Sequence, residues 1–203
     1  MAIASSSAEP VDLRLLTIAA EQLRHNGARG VTVVGVAEAA GMTHANVYRY
    51  FPSRAALIDA VAARWLKGLE VTLAEIADAP DPADDKLERL LVAIAQAHRD
   101  LLVRDRHLFD VYVDAAETSR AVIRKHRARQ RHLVDRVVDE GIATGIFEPR
   151  DRERALAFVT DAVFRFINPV AVRLDADMPE DIFATRLFAA IRAIQRVLTV
   201  GIL

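Results

Sequence analysis

At 203 residues, with 52% hydrophobic and 27% charged side chains, the chain can bury the core of one domain or of two small ones. It has no cysteine, which excludes disulfides, thiolate metal sites and cysteine nucleophiles. The 27 Lys and Arg against 28 Asp and Glu exclude a globally basic nucleic-acid binder, so any DNA-binding face has to be local.

No apolar run approaches the ~18 uninterrupted residues of a membrane span, and Met1 to Glu9 lacks the basic-then-apolar layout of a signal peptide. A cytoplasmic protein is expected. Residues 1–10, with the run Ser5-Ser6-Ser7, read as a mobile tail with too little apolar surface to offset ordering. Helical periodicity starts next. Asp12 can cap a helix carrying Leu15, Leu16, Ala19, Ala20 and Leu23, which Gly27 ends. A second helix is expected over about Val33 to Ala40, then a turn at Gly41-Met42, then a third helix capped by Thr43 and running to about Tyr48. Pro52 breaks the chain, and Ser53 caps a long fourth helix with an apolar stripe of Leu57, Val61, Trp65, Leu69, Leu73 and Ile76.

Pro80 and Pro82 mark a turn in Asp78 to Asp85. Beyond it helices are expected near Lys86 to Val103, Arg106 to Ala115, Thr118 to Thr144, Asp151 to Arg173 and Pro179 to Val200, with no strand pattern anywhere. The reading is all-α with about nine helices: a tri-helical helix-turn-helix domain over 11–55 and a larger helical domain over 56–203. The cationic run Arg120, Arg124, Lys125, Arg127, Arg129 and Arg131 reads as a solvated helix face.

The segment from Val31 to Arg54 has the anatomy of a DNA-reading tri-helical motif. Ala37 is small where two helices cross, Gly41 permits a sharp turn, and Val36, Ala40 and Val47 point inward. Capping at Thr43 leaves His44, Ala45 and Asn46 at the end of the helix that meets base edges in the major groove. Asn46 suits an adenine edge, His44 a guanine acceptor or a phosphate, and the Ala45 methyl a thymine methyl. Thr32, Tyr48, Tyr50 and Arg54 are phosphate-type donors around them. Local charge agrees, since Arg24, Arg29, Arg49, Arg54, Arg64 and Lys67 face only Glu38 and Asp59 between positions 24 and 67. The same side chains also have plain readings, as caps for the Thr and Ser, core aromatics for the Tyr and a passive surface residue for His44.

Through Gly27-Ala-Arg-Gly-Val-Thr-Val, Val36-Ala-Glu-Ala-Ala-Gly and Val47-Tyr-Arg-Tyr-Phe-Pro-Ser-Arg-Ala-Ala-Leu, the sequence resembles the TetR family of one-component regulators over about Leu15 to Val61. The resemblance implies an N-terminal DNA-binding domain, a helical ligand-binding domain, dimerisation through the last two long helices, and repression relieved by a small molecule. It also implies phosphate contact at Thr32, Tyr48, Tyr50 and Arg54 and recognition-helix positions at Thr43, His44 and Asn46. Gly35, where the family often has a polar or basic residue, and His44, where Lys, Pro or Arg is frequent, leave the operator sequence open.

In the C-terminal part, Phe183, Leu187, Ile191, Ile194 and Leu198 make one stripe of the last helix, and Ile182, Ala189, Ala193, Val197 and Val200 a second. The second stripe invites a partner copy, giving an isologous four-helix interface and paired recognition helices on a palindrome. Trp65, His98, Phe109, Tyr112, Phe164 and Asn168 are the candidates for a pocket taking a small, largely apolar ligand, with core packing as the plain alternative. Asn168-Pro169 adds a backbone break and a polar group within an apolar helix. The six histidines show neither HExxH nor a two-histidine metal spacing with a carboxylate, so no catalytic residue, metal or cofactor is expected. A helical interaction module and a transcriptional activator of the same fold remain alternatives to a repressor.

Overall fold

The computed structural model describes residues 10–201, so the expected mobile tail lies outside the described residues except for Pro10. All ten elements in this range are helices: α1 (Val11–Gly30), α2 (Val33–Ala39), α3 (His44–Tyr50), α4 (Arg54–Ala77), α5 (Ala83–Arg104), α6 (Arg106–Glu117), α7 (Ala121–Ala143), α8 (Arg152–Ile167), α9 (Pro169–Leu174) and α10 (Glu180–Val200). The chain divides into two compact units, one up to Trp65 and one from Leu66 onward, with the division falling inside α4.

In the first unit, α1 buries Leu15, Leu16, Ala19 and Leu23 on one face, and its helical geometry breaks at Gly27, where φ is 66° and ψ 178°. Thr32 caps α2 by accepting from the Gly35 amide at 3.0 Å. The end of α2 is closed by two paired bonds: Gly41 N–H donates to Glu38 O at 3.0 Å, and Met42 N–H to Ala37 O at 2.9 Å. That closure puts Gly41 at φ +65°, a conformation side chains other than Gly and Asn resist. The turn re-aims the chain into α3, whose single buried residue is Val47. Val31, Val36 and Val47 are fully buried, each such side chain contributing about 1.5–3 kcal/mol. Ser53 then accepts from the Ala56 amide at 3.0 Å and starts α4.

In the second unit, α5 is the central element and touches α6, α7, α8, α9 and α10. It begins three residues before the expected Lys86, because Pro82 fixes the entry and Asp84 and Asp85 complement the helix dipole in its first turn. The helix expected over Asp151 to Arg173 is divided in two, which makes ten helices rather than about nine. Asn168 takes extended φ/ψ, and its side-chain oxygen accepts from the amides of Val170 at 3.0 Å and Ala171 at 3.3 Å, capping a new helix with Pro169 in its first turn. Arg152–Leu174 is apolar enough in composition to cross a membrane, with a mean hydropathy of 1.5 over its best window. It is interrupted at Asn168, and it packs Ala155, Val159, Val163 and Phe166 into the core.

Along α10, Phe183, Leu187, Ile191, Ile194 and Leu198 are all buried, while Ile182, Phe188, Ala189, Ala193 and Val200 are exposed. The first expected stripe is covered; of the second, Ile182, Ala189, Ala193 and Val200 are bare and Val197 is half-buried, while Phe188 joins the exposed face.

Candidate DNA-binding face and ligand cavity

The short helix α3 presents almost its whole circumference. His44, Ala45, Asn46, Tyr48, Arg49 and Tyr50 are exposed, while Val47 pins the helix from below. Tyr48 and Tyr50 are 48% and 46% exposed, so neither is a core aromatic. Thr32 is exposed at the start of α2; its oxygen accepts from Gly35, which leaves the hydroxyl proton to donate outward. Arg49, in the last turn of α3 and one of the local cations, belongs to the same exposed set.

Two expectations need correcting in detail. Thr43 occupies the N-cap position of α3 but makes no side-chain capping bond, so its exposed hydroxyl is not committed to the helix start. Arg54, expected as a phosphate donor, turns back into the protein: Nε donates to Val31 O at 2.6 Å and Nη2 to Ala28 O. These carbonyls lie where α1 gives way to α2, so the guanidinium braces that corner, adding to the Val31 N–H bond that Ala28 O already accepts at 3.3 Å. Arg14 does similar work by donating through Nη2 to Ala40 O beside the Gly41 turn.

Gly35 also acquires a reason. A Cβ there would stand 3.0 Å from Thr32 Oγ1 and 3.4 Å from Gln22 Nε2, so a side chain would press on the hydroxyl that caps α2.

The second unit contains a cavity of about 220 Å³ among α5, α7 and α8. Its apolar wall includes Leu91, Ile94, Val159, Val163 and Ile167; its polar lining includes Arg127, Gln130 and Asn168. Of the six residues expected to form a pocket, Phe164 and Asn168 line it, and Trp65, His98, Phe109 and Tyr112 do not. His98 and Phe109 are 0% and Tyr112 2% exposed, which makes them core. Helical spacing marks an inward side chain equally well whether it meets another side chain or a void. The cationic run on α7 is the solvated face expected, with Arg124, Lys125, Arg127, Arg129 and Arg131 all exposed, and some of its members also have local partners. Arg127 and Arg131 line the cavity, Arg129 pairs with Glu70 at 2.8 Å, and Arg120 pairs with Asp114.

Two buried polar contacts lie off the cavity. His98 Nε2 and the Tyr112 hydroxyl share a hydrogen bond of 3.1 Å. Burial, assisted by the charges of His126 and Arg127, holds the His98 imidazole at a pKa of about 3, and burial raises that of Tyr112. His126, 1% exposed, places Nδ1 3.1 Å from Glu70 Oε1. Its pKa is lowered because desolvation outweighs the attraction of Glu70. This contact ties α4 to α7 within the second unit.

Comparison with known proteins follows the same two parts. The family profile described as bacterial regulatory proteins, tetR family, matches residues 15–61, and that described as tetracyclin repressor-like, C-terminal domain, matches residues 83–184. The HTH-type transcriptional repressor KstR2 of Mycobacterium tuberculosis is 26% identical over 161 residues, 76% of this chain and 74% of that protein. Among solved structures, a Rhodococcus sp. RHA1 protein of unknown function superposes with a TM-score of 0.70 at 21% identity, covering 97% of this chain and all of that one. The transcriptional regulator FadR from Bacillus subtilis in complex with stearoyl-CoA superposes with a TM-score of 0.63 at 19% identity, covering 94% of this chain and 99% of that one.

Proposed function

The chain belongs to the TetR family of bacterial regulatory proteins, a DNA-binding transcriptional regulator, and from that premise we propose that it is a cytoplasmic homodimeric repressor released from a palindromic operator by a small, largely apolar ligand. The observation that carries the DNA half of this reading is the exposure of His44, Ala45, Asn46, Tyr48 and Tyr50 around the single buried anchor Val47. In this reading His44, Ala45 and Asn46 meet base edges. Thr32, Thr43, Tyr48, Tyr50 and Arg49 hold phosphates, and Arg54 keeps the corner of the motif in shape.

The sense of regulation follows KstR2, named as a repressor, and the ligand half follows the cavity on α5, α7 and α8 together with the stearoyl-CoA complex of the B. subtilis neighbour. At about 220 Å³ the cavity is smaller than the ~300–1,000 Å³ that accommodates drug-sized molecules, which favours a small ligand or one that protrudes. The experiment is a salt-titrated binding assay on the DNA upstream of the protein's own gene. A regulator of this kind prefers one palindrome and loses affinity steeply with salt, whereas an interaction module does neither.

A further inference from the structure

The cavity on α5, α7 and α8 has a chemical polarity that narrows its ligand. Along α7 its lining residues Arg127, Gln130, Arg131, Val134 and Asp135 recur at three- and four-residue steps and so share one helix face. Arg131 and Asp135 are shared with a neighbouring hollow that also contains Glu153, so the acids collect toward one end. Arg127 stands eight residues from Asp135, roughly 12 Å along the helix axis.

At the Arg127 end the polar groups are donors. Arg127 is in no ion pair among the described residues, unlike Arg129, Arg136 and Arg152 on or beside the same helix. Gln130 Nε2 is buried without a hydrogen-bond partner, an unsatisfied donor that an acceptor in the cavity would complete. Asn168 has spent its side-chain oxygen on two amides, which leaves its Nδ2 as a donor. A cation and two amide donors beside an aliphatic wall call for an acceptor-rich, negatively charged group on an apolar skeleton.

We infer that the effector is a small apolar carboxylate, its hydrocarbon body against Leu91, Ile94, Val159, Val163 and Ile167 and its carboxylate held by Arg127, with Gln130 and Asn168 donating. This rests on the reading of the chain as a ligand-responsive regulator and specifies its ligand. The binding energy of the body is non-directional, whereas the donor set selects the head group, so the discriminating variable is head-group charge on a fixed skeleton.

The test is calorimetric titration of the full chain with two skeletons, octanoate and 4-phenylbutanoate, each against its primary amide and its amine. Within at least one skeleton the carboxylate should bind about tenfold or more tightly than both analogues. Arg127→Gln should erase that preference, Gln130→Leu should reduce it several-fold, and Arg124→Gln, which removes an equal charge from the same helix outside the cavity, should keep it. Equal or tighter binding of the amide or amine in both skeletons, no binding of either carboxylate at millimolar concentration, or an Arg127→Gln variant with undiminished preference each overturn the inference. Operator binding is measured separately on the same samples. A neutral analogue that binds and releases DNA sinks the carboxylate while leaving the regulator standing, and a protein that binds carboxylate but no DNA does the reverse.

Discussion

His98 and His126 place two imidazoles in the interior of the second unit, where burial disfavours their charged forms. In the unfolded chain both titrate near ~6.5, so between that pH and the folded His98 value of about 3 the unfolded state binds more protons. Stability is therefore full above ~6.5 and falls as the pH drops below it, by up to about 1.4 kcal/mol per pH unit for one such group. Urea unfolding at pH 7 and pH 5 checks this: the midpoint should fall at the lower pH, and His98→Phe should make the fall shallower. Glu70→Ala removes the acceptor beside His126 Nδ1 and should cost about 1–3 kcal/mol by the same assay, since an orphaned buried donor bears its full desolvation penalty. On the DNA face the residues separate by readout. Asn46→Ala should change the ranking of operator variants, while Tyr48→Phe should weaken all of them about equally.

Among the elements, the Gly41 turn and the Asn168 cap decide where helices stop and restart. Beyond its chain neighbours no atom lies within 4 Å of a Cβ placed on Gly41, so Gly41→Ala tests the backbone alone, and it should cost about 1–2 kcal/mol by thermal unfolding, with Gly41→Asn costing less. The helix-turn-helix was legible because its signals are local: caps at Thr32 and Ser53, a turn glycine, and Val36, Ala40 and Val47 at helical spacing. The cavity was not, because whether an inward residue meets a void depends on what the facing helix supplies. His98, Phe109 and Tyr112 carry the same pattern as cavity walls and are core. Arg127 and Arg131 belong to a run that is solvated as expected, yet both also border the cavity, which their own spacing could not show. The break at Asn168-Pro169 was visible in sequence as a disturbance, but its outcome, a separate capped helix, depended on the Asn168 side chain reaching the amides of Val170 and Ala171.

For the whole molecule, the bare stripe of Ile182, Phe188, Ala189, Ala193 and Val200 on α10 is the surface on which the dimer proposal rests. Ala193→Glu changes an exposed position, so the protomer should fold normally. Sedimentation should show half the mass, with operator affinity lost alongside, because one recognition helix alone reads only a half-site. A mass unchanged by the substitution would place the dimer contact elsewhere. The near-neutral total charge fits this division of labour, since residues 24–67 carry the local cationic excess and the remainder balances it. The central claim, that α3 reads an operator, is tested most directly by titrating the protein against its upstream DNA from ~50 to ~200 mM salt, beside unrelated DNA of equal length. Binding should favour one palindrome by about 10³-fold or more and fall linearly in log affinity with log salt. Equal affinity for both DNAs, or no binding to any palindrome at the lowest salt, would contradict it.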